Sequence, residues 1–409
     1  MKTKSEILLD EALRLIPWGT QTNAKRPIMD YAGVMPFFVE KARGCRFWDV
    51  DGREFIDYRM ALGPIILGYC YDEVDLAVKS QMDKGVIFSM ASPIEIELAK
   101  RIVENIPSAE MVRFMKNGVD ANACNVRLAR AYTGRDKIIR CGYNGYHDWF
   151  MTGFEGNGVP KILRKYVYEV NYGDIEAVEK ILKKDAHNIA CILSIPYDFG
   201  PDTSGEFPRT LRTLADEYGV ILIFDEVLTG FRLSLGGAQE FFNVKPDLSS
   251  FAKAMANGYP ISAYCGRREI MKKLDDFILT ATYAGETLSM AAAIATIDIM
   301  KRERVHEHLF RVGQMLMNGF CQIASRLGVE AEVGGLPVAP FFMFNYTDPE
   351  KNKKLYFILN RELFNRGIFV YDRWFLSFSH TEKDIAETLD KFELALKNTL
   401  EIYARSSLF

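Results

Sequence analysis

Between Met111 and Phe224 short apolar runs alternate with stretches of helical spacing. Strands are expected at Met111–Lys116, Lys137–Cys141, Tyr166–Val170, Ile189–Ile195 and Val220–Phe224, and helices at Ala121–Tyr132 and Pro208–Tyr218. Runs of this kind predict an α/β domain with a largely parallel sheet buried on both faces. Before it, residues 5–16 have helical spacing, and the alternating stretches in 37–58 flank Asp51-Gly52, a hairpin signal. After Ala281 the texture changes. A helical stretch runs from Leu288 to about Leu327, followed by strands at Val329–Val333 and Pro340–Asn345 and a helix at Lys351–Arg366. Further strands are expected at Ile368–Tyr371 and Phe375–Ser379, with a last helix from Lys383 to Tyr403. The pattern gives an N-terminal arm (1–55) joined to a small domain, a large α/β domain (56–290) and a small α+β domain (291–409).

Composition adds exclusions. The chain has 409 residues, long enough for a large core in more than one domain. With 51 Lys+Arg against 54 Asp+Glu the net charge is −3, without the basic excess of a nucleic-acid or anionic-membrane binder. No run of eighteen apolar residues and no N-terminal apolar leader occurs, which predicts a cytoplasmic protein. Seven scattered cysteines without a Cys-x-x-Cys pair read as reduced thiols. His306 and His308, two apart on a helix, point to different faces and do not suit zinc.

Chemistry in an open parallel sheet gathers at the carboxyl ends of its strands. The apolar run Val220–Phe224 leads into Asp225-Glu226, and Lys253 follows in an apolar stretch ending at Gly258. Each has a bland alternative, a loop-bracing Asp and a snorkelling Lys. A buried lysine, however, loses its proton readily and serves as a Schiff-base nucleophile. Lys116-Asn117-Gly118-Val119 passes from a strand into a helix, a junction whose free N–H groups can hold a phosphate. Tyr143, at another strand end, can pack in the core or stack on a flat cofactor. Gly153–Gly158 reads as a mobile loop. Phosphate turn, aromatic, acid and, 28 residues later, lysine together suit a pyridine ring bearing a phosphate and an aldehyde.

The motifs Gly44-Cys45-Arg46-Phe47-Trp48-Asp49, Phe55-Ile56-Asp57-Tyr58, Leu128-Ala129-Arg130-Ala131-Tyr132-Thr133-Gly134-Arg135, Asp225-Glu226-Val227-Leu228-Thr229-Gly230-Phe231-Arg232 and Lys245-Pro246-Asp247 carry a family resemblance. From about Leu8 to Tyr403 the chain resembles the class III pyridoxal-phosphate aminotransferases, most closely their glutamate-1-semialdehyde 2,1-aminomutase branch. The resemblance implies a fold-type I enzyme, pyridoxal 5'-phosphate as cofactor, and a homodimer with shared active sites. By matching position, Lys253 holds the cofactor as an aldimine and shuttles a proton. Asp225 pairs with the ring nitrogen, Tyr143 stacks on the ring, Asn117, Gly118 and Val119 bind the phosphate, and Thr282 reaches the neighbouring subunit's phosphate.

Departures fall mainly on the substrate side. Ile195-Pro196-Tyr197 stands for Glu-Pro-Val, Leu62 for a tryptophan, Glu286-Thr287 for Asn-Pro, and Lys116-Asn117-Gly118-Val119 for Asn-Ser-Gly-Thr. Lys25 or Arg26 fills the place of a substrate-carboxylate arginine, and Arg373, in a C-terminal loop, is a second candidate for that task. Arg232 is expected to brace the loop after Asp225 by ion pairing. The expected activity is amino transfer between an amino-acid donor and a carbonyl acceptor. Aminomutase chemistry is the alternative, with decarboxylation, epimerisation or an inactive binding protein behind it.

Overall fold

The computed structural model describes residues 2–153 and 158–406. The expected loop Gly153–Gly158 falls largely on Phe154–Asn157, outside the described residues. The strands in chain order are β1 (Val39–Arg43), β2 (Arg46–Asp49), β3 (Glu54–Asp57), β4 (Met111–Met115), β5 (Lys137–Cys141), β6 (Val167–Val170), β7 (Ile189–Ser194), β8 (Ile221–Glu226), β9 (Leu248–Phe251), β10 (Ser262–Gly266), β11 (Ala331–Gly334), β12 (Phe341–Phe344) and β13 (Ile368–Phe369). Two compact units form. The first comprises 1–62, 67–71 and 307–409, the second 63–66 and 72–306.

The second unit is built on a seven-stranded sheet, ordered β4-β10-β9-β8-β7-β5-β6. Only β10 runs antiparallel, to both β4 and β9. Every residue of β7, β8, β9 and β10 is buried, as a sheet covered on both faces requires. Helix Gly118–Thr133 supplies Val119, Ala121, Val126 and Leu128 to a core with Ile138, Leu193 and Ile223, and stops at Gly134 in a left-handed cap (φ +67°). Asp225 and Glu226 thus emerge at the carboxyl end of a central strand.

In the first unit β1, β2 and β3 form an antiparallel meander about the Asp51-Gly52 turn, and β13 adds parallel to β3. The stretch Phe375–Ser379, expected as a strand, is irregular. Its N–H groups bond to three separate acceptors: Phe375 to the Tyr58 carbonyl, Leu376 to the Val338 carbonyl and Ser377 to His380 Nδ1. The long C-terminal helical stretch is two helices, Thr287–Arg302 and Val305–Arg326, separated where Arg304 turns to φ +52°. Strands β9 and β10 and helices Asp72–Met82 and Pro93–Asn105 had no expectation from the pattern.

His380 is fully buried, stacked on Tyr58 at 4.7 Å, and accepts the Ser377 N–H on Nδ1 at 2.9 Å. It is therefore neutral, with its proton on Nε2. Burial pushes its pKa down to about 4, against the pull of Asp384. A base with a depressed folded pKa takes up its proton in the unfolded chain first, so its contribution to stability is intact above pH 6.5 and lost toward pH 4. Between pH 8 and pH 5 we expect this site to remove about 2 kcal/mol of unfolding free energy. Denaturant titrations of the first unit's transition should show that slope, and His380→Gln should flatten it.

Candidate active site

Asp225 lies 4 % exposed at the end of β8. Its Oδ2 accepts two amide donors, Asn122 Nδ2 at 2.8 Å and Asn144 Nδ2 at 2.9 Å, while Oδ1 accepts the Val227 N–H at 3.1 Å. Asn122 stands on helix Gly118–Thr133 and Asn144 follows β5, so three elements converge on one carboxylate. Burial drives the Asp225 pKa upward; Asn144, the Val227 N–H, Asn122 and Lys253 pull it back. Glu226, its neighbour, is committed elsewhere. It accepts Thr229 Oγ1 and the N–H groups of Ala238 and Gln239, and so ties down the following loop.

Lys253 comes two residues after the end of β9, the strand paired with β8 and β10. Its φ of +42° is left-handed, a conformation that costs a non-glycine residue about 1–2 kcal/mol. Burial lowers its pKa to about 8; Asp225 opposes the shift and Arg232 adds to it. Amine and carboxylate thus sense each other's charge, and no hydrogen bond joins them among the described residues. Arg232 is fully buried and donates to the Gly63 carbonyl at 2.8 Å.

The phosphate-turn candidates are equally local. Helix Gly118–Thr133 begins at Asn117, whose N–H and Nδ2 both donate to Asp120 Oδ2. The next two N–H groups, of Gly118 and Val119, open the helix and have no helical acceptor. A Cβ on Gly118 would lie 2.5 Å from Val227 Cγ2, and one on Gly145 would lie 2.3 Å from Val119 Cγ2, so both glycines are required by close approach. Lys116 is spent in a 2.7 Å ion pair with Glu286, which also caps helix Thr287–Arg302 through the Leu288 and Ser289 N–H groups. Tyr143 is exposed and adjoins Asn144, the residue bound to Asp225. Thr282 is exposed in the short turn Thr282–Gly285.

These residues fit a phosphorylated pyridine aldehyde. Asp225 Oδ1, with one N–H donor, has lone pairs left for a ring N–H. The Asn122 and Asn144 Oδ1 atoms are buried without partners, and Asn117, Gly118 and Val119 can hold a phosphate. Sequence reasoning did not single out Asn122 or Asn144 as the donors on Asp225. A buried Asn on the helix face turned to the sheet was the available signal for the first.

The substrate candidates lie in the first unit. Lys25 and Leu62 line one cavity there, together with Arg59, which the sequence reading passed over. Arg26 instead lies over the Trp18 ring at 5.9 Å and Arg373 over the Phe341 ring at 5.0 Å. Leu62 closes three successive non-glycine residues with positive φ, Met60 (+43°), Ala61 (+55°) and Leu62 (+76°). Asp57 holds that turn by accepting the Arg59 and Met60 N–H groups at 2.7 and 3.0 Å and Tyr69 Oη at 2.7 Å.

The sheet and this site define a fold-type I pyridoxal-phosphate enzyme. The profile of the class III aminotransferases matches residues 29–372. A 3-aminobutyryl-CoA aminotransferase of Cloacimonas acidaminovorans is 36% identical over 402 residues, 96% of either chain. A glutamate-1-semialdehyde 2,1-aminomutase of Sulfurihydrogenibium azorense is 34% identical over 95% of this chain and 97% of its own. Among solved structures, the FumI protein of Sphingopyxis sp. MTA144 in its pyridoxal-phosphate internal aldimine form superposes with a TM-score of 0.90 at 30% identity, covering 98% of this chain and 97% of that one. The chain belongs to the class III aminotransferase family, and its cofactor is pyridoxal phosphate.

In cofactor-free protein an amine-acylating reagent should label Lys253 with half-maximal rate near pH 8. Asp225→Asn should move that midpoint down and Arg232→Met should move it up, read by peptide mass spectrometry across pH. Midpoints near an ordinary lysine's pKa, about 10.4, would contradict the site as described.

Proposed function

We propose that the protein transfers an amino group between an amino-acid donor and a carbonyl acceptor, with Lys253 and Asp225 as catalytic residues. The observation that carries this reading is a lysine whose amine is depressed to about pH 8 beside a carboxylate fixed by two buried amides. Pyridoxal phosphate, when bound, supplies an electron sink for the pair left on the substrate's amine-bearing carbon. Lys253 Nζ would hold the cofactor's aldehyde and, once displaced by the substrate amine, take up the proton from that carbon and return it two atoms along, on the cofactor side of the nitrogen. Asp225 would keep the ring nitrogen protonated through Oδ1. Tyr143 would cover the ring, and the N–H groups of Gly118 and Val119, with Asn117, would hold the phosphate.

On the substrate side, Leu62 and Ile195 replace a tryptophan and a carboxylate of the aminomutase pattern. The loss of these polar groups favours a donor other than a small diamino acid. The relative named for 3-aminobutyryl-CoA supports a donor whose amine sits on the carbon β to an acyl group. The aminomutase relatives support a second reading, an intramolecular amino shift. Assayed with an amino donor, the protein should form keto product only when a 2-oxo acid is supplied. Isomerisation of one compound without an acceptor would favour the aminomutase. Lys253→Ala should lose the visible cofactor band and lower turnover by about 10²–10⁴-fold; a wild-type protein that takes up no cofactor would overturn both readings.

The protein is further proposed to be a cytoplasmic homodimer in which Thr282 reaches the other subunit's phosphate. Among the described residues no helix is long and apolar enough to cross a membrane. Ile87, Phe88 and Met90 are exposed, Met90 by 82 %. The Thr287 N–H donates to the Val86 carbonyl, anchoring this apolar run beside the Thr282–Gly285 turn. An apolar strip of this kind suits a second copy of the chain. Phe88→Asp combined with Met90→Asp should halve the mass measured by light scattering and weaken cofactor retention; an unchanged mass would count against this interface.

A further inference from the structure

Asn122 Nδ2 spends both of its hydrogens, one on Asp225 Oδ2 at 2.8 Å and one on the main-chain carbonyl of Asn144 at 3.0 Å. Asn144 Nδ2 then donates to the same Asp225 Oδ2 at 2.9 Å. The three buried residues close a triangle across helix Gly118–Thr133, the turn after β5 and the end of β8. A carboxylate oxygen only accepts, so an ionised Asp225 dictates which way both amides face. With both amides on Oδ2, Oδ1 is left with the Val227 N–H alone. The arrangement is costly if packing is its sole purpose. The Oδ1 atoms of Asn122 and Asn144 are buried with no protein partner among the described residues, a penalty that an apolar residue at either place avoids. Asn125, three residues further along the helix, is equally buried and also leaves its Oδ1 unpartnered, but its Nδ2 donates to Ser250 Oγ at 2.8 Å.

We propose that Asn122 and Asn144 are positioning residues for the cofactor ring: together they hold Asp225 as a carboxylate with Oδ1 left for the ring nitrogen, and Asn122 fixes, through the Asn144 carbonyl, the turn that carries Tyr143. The assignment rests on the proposed pairing of Asp225 with that nitrogen. With either amide gone, a desolvated Oδ2 is short of a donor. A proton on the carboxylate is then favoured, and the charge that attracts a ring N–H is lost. Asn144→Leu removes a donor alone, whereas Asn122→Leu removes a donor and the tie to the turn.

Calorimetric titration of the full-length protein, stripped of cofactor, tests this with pyridoxine 5'-phosphate and with its 1-deaza counterpart, whose ring has C–H in place of nitrogen. Neither probe has an aldehyde, so reaction with Lys253 does not enter the affinities. The wild type should bind the nitrogen-containing ring at least about tenfold more tightly. Asn122→Leu and Asn144→Leu should each remove most of that preference, and in Asn144→Leu the affinity for the deaza compound should stay nearly unchanged. Asn125→Leu, which deletes an equally buried amide bonded to Ser250, should keep the wild-type preference. If Asn122→Leu fails to fold, Asn144→Leu decides, since Asn122 still holds its turn by the main chain. A preference that survives Asn144→Leu, or that falls equally in Asn125→Leu, overturns the assignment and leaves the role of Asp225 standing. A wild-type protein indifferent to the ring nitrogen overturns the Asp225 pairing and this assignment with it.

Discussion

Desolvation of one carboxylate and one amine is the constraint around which the second unit is arranged. Asp225 cannot be buried at the end of β8 as an ion without donors, because a lone buried charge costs several kcal/mol. Asn122 and Asn144 supply them, and each is itself placed by a separate element, a helix on the sheet and the turn after β5. Lys253 is treated the opposite way. It donates no hydrogen bond to Asp225 among the described residues and senses only its field, and Arg232 sharpens the loss of its proton. Burial pushes both groups toward their neutral forms, and at the carboxylate the amide donors, the Val227 N–H and Lys253 oppose that push.

The elements that build this sheet were legible where burial is continuous. Ile189–Ser194 and Ile221–Glu226 are apolar on both faces and bounded by turn signals, so run length alone marks them as strands. Strands β9 and β10 were not legible, since Leu248-Ser249-Ser250-Phe251 and Ser262-Ala263-Tyr264-Cys265-Gly266 mix small polar and apolar residues. Their Ser side chains are buried because Ser249 Oγ meets Ser108 Oγ and Ser250 Oγ meets Asn125 Nδ2, partners more than a hundred residues away. The same holds for the site. Asp225 and Lys253 stand at strand ends and could be singled out; Asn122, Asn144 and Arg59 owe their roles to contacts between distant segments, which spacing along the chain does not encode.

Two departures from the family pattern become one feature in space. Lys116 replaces an asparagine before the phosphate turn, and Glu286 replaces another after the Thr282–Gly285 turn. They meet at 2.7 Å, with 21 % and 13 % of their side chains exposed. Either alone would leave a partly buried charge beside an anion-binding helix end. Paired, they cancel, and the backbone N–H groups of Gly118 and Val119 at the helix start keep no helical acceptor. The pair also fixes the N-terminus of helix Thr287–Arg302, because Glu286 caps it.

Left-handed backbone at non-glycine residues includes Lys253 in the second unit and the run Met60–Leu62 in the first, along with Trp18, Cys70, Phe199 and Phe231 elsewhere. A left-handed backbone at a side chain as long as lysine persists only where its surroundings over-determine it. Here β9 and β10 fix the chain on one side and Asn257, itself left-handed, turns it on the other. The run Met60–Leu62 is fixed by Asp57, whose carboxylate accepts the Met60 N–H and that of Arg59 just before it, and whose burial is met by Tyr69. Both strained segments carry residues that must present a side chain in a set direction: the amine in one, and Leu62 with the neighbouring Arg59 in the other. At each of these positions about 1–2 kcal/mol is given up to a backbone that fixes the direction of the side chain.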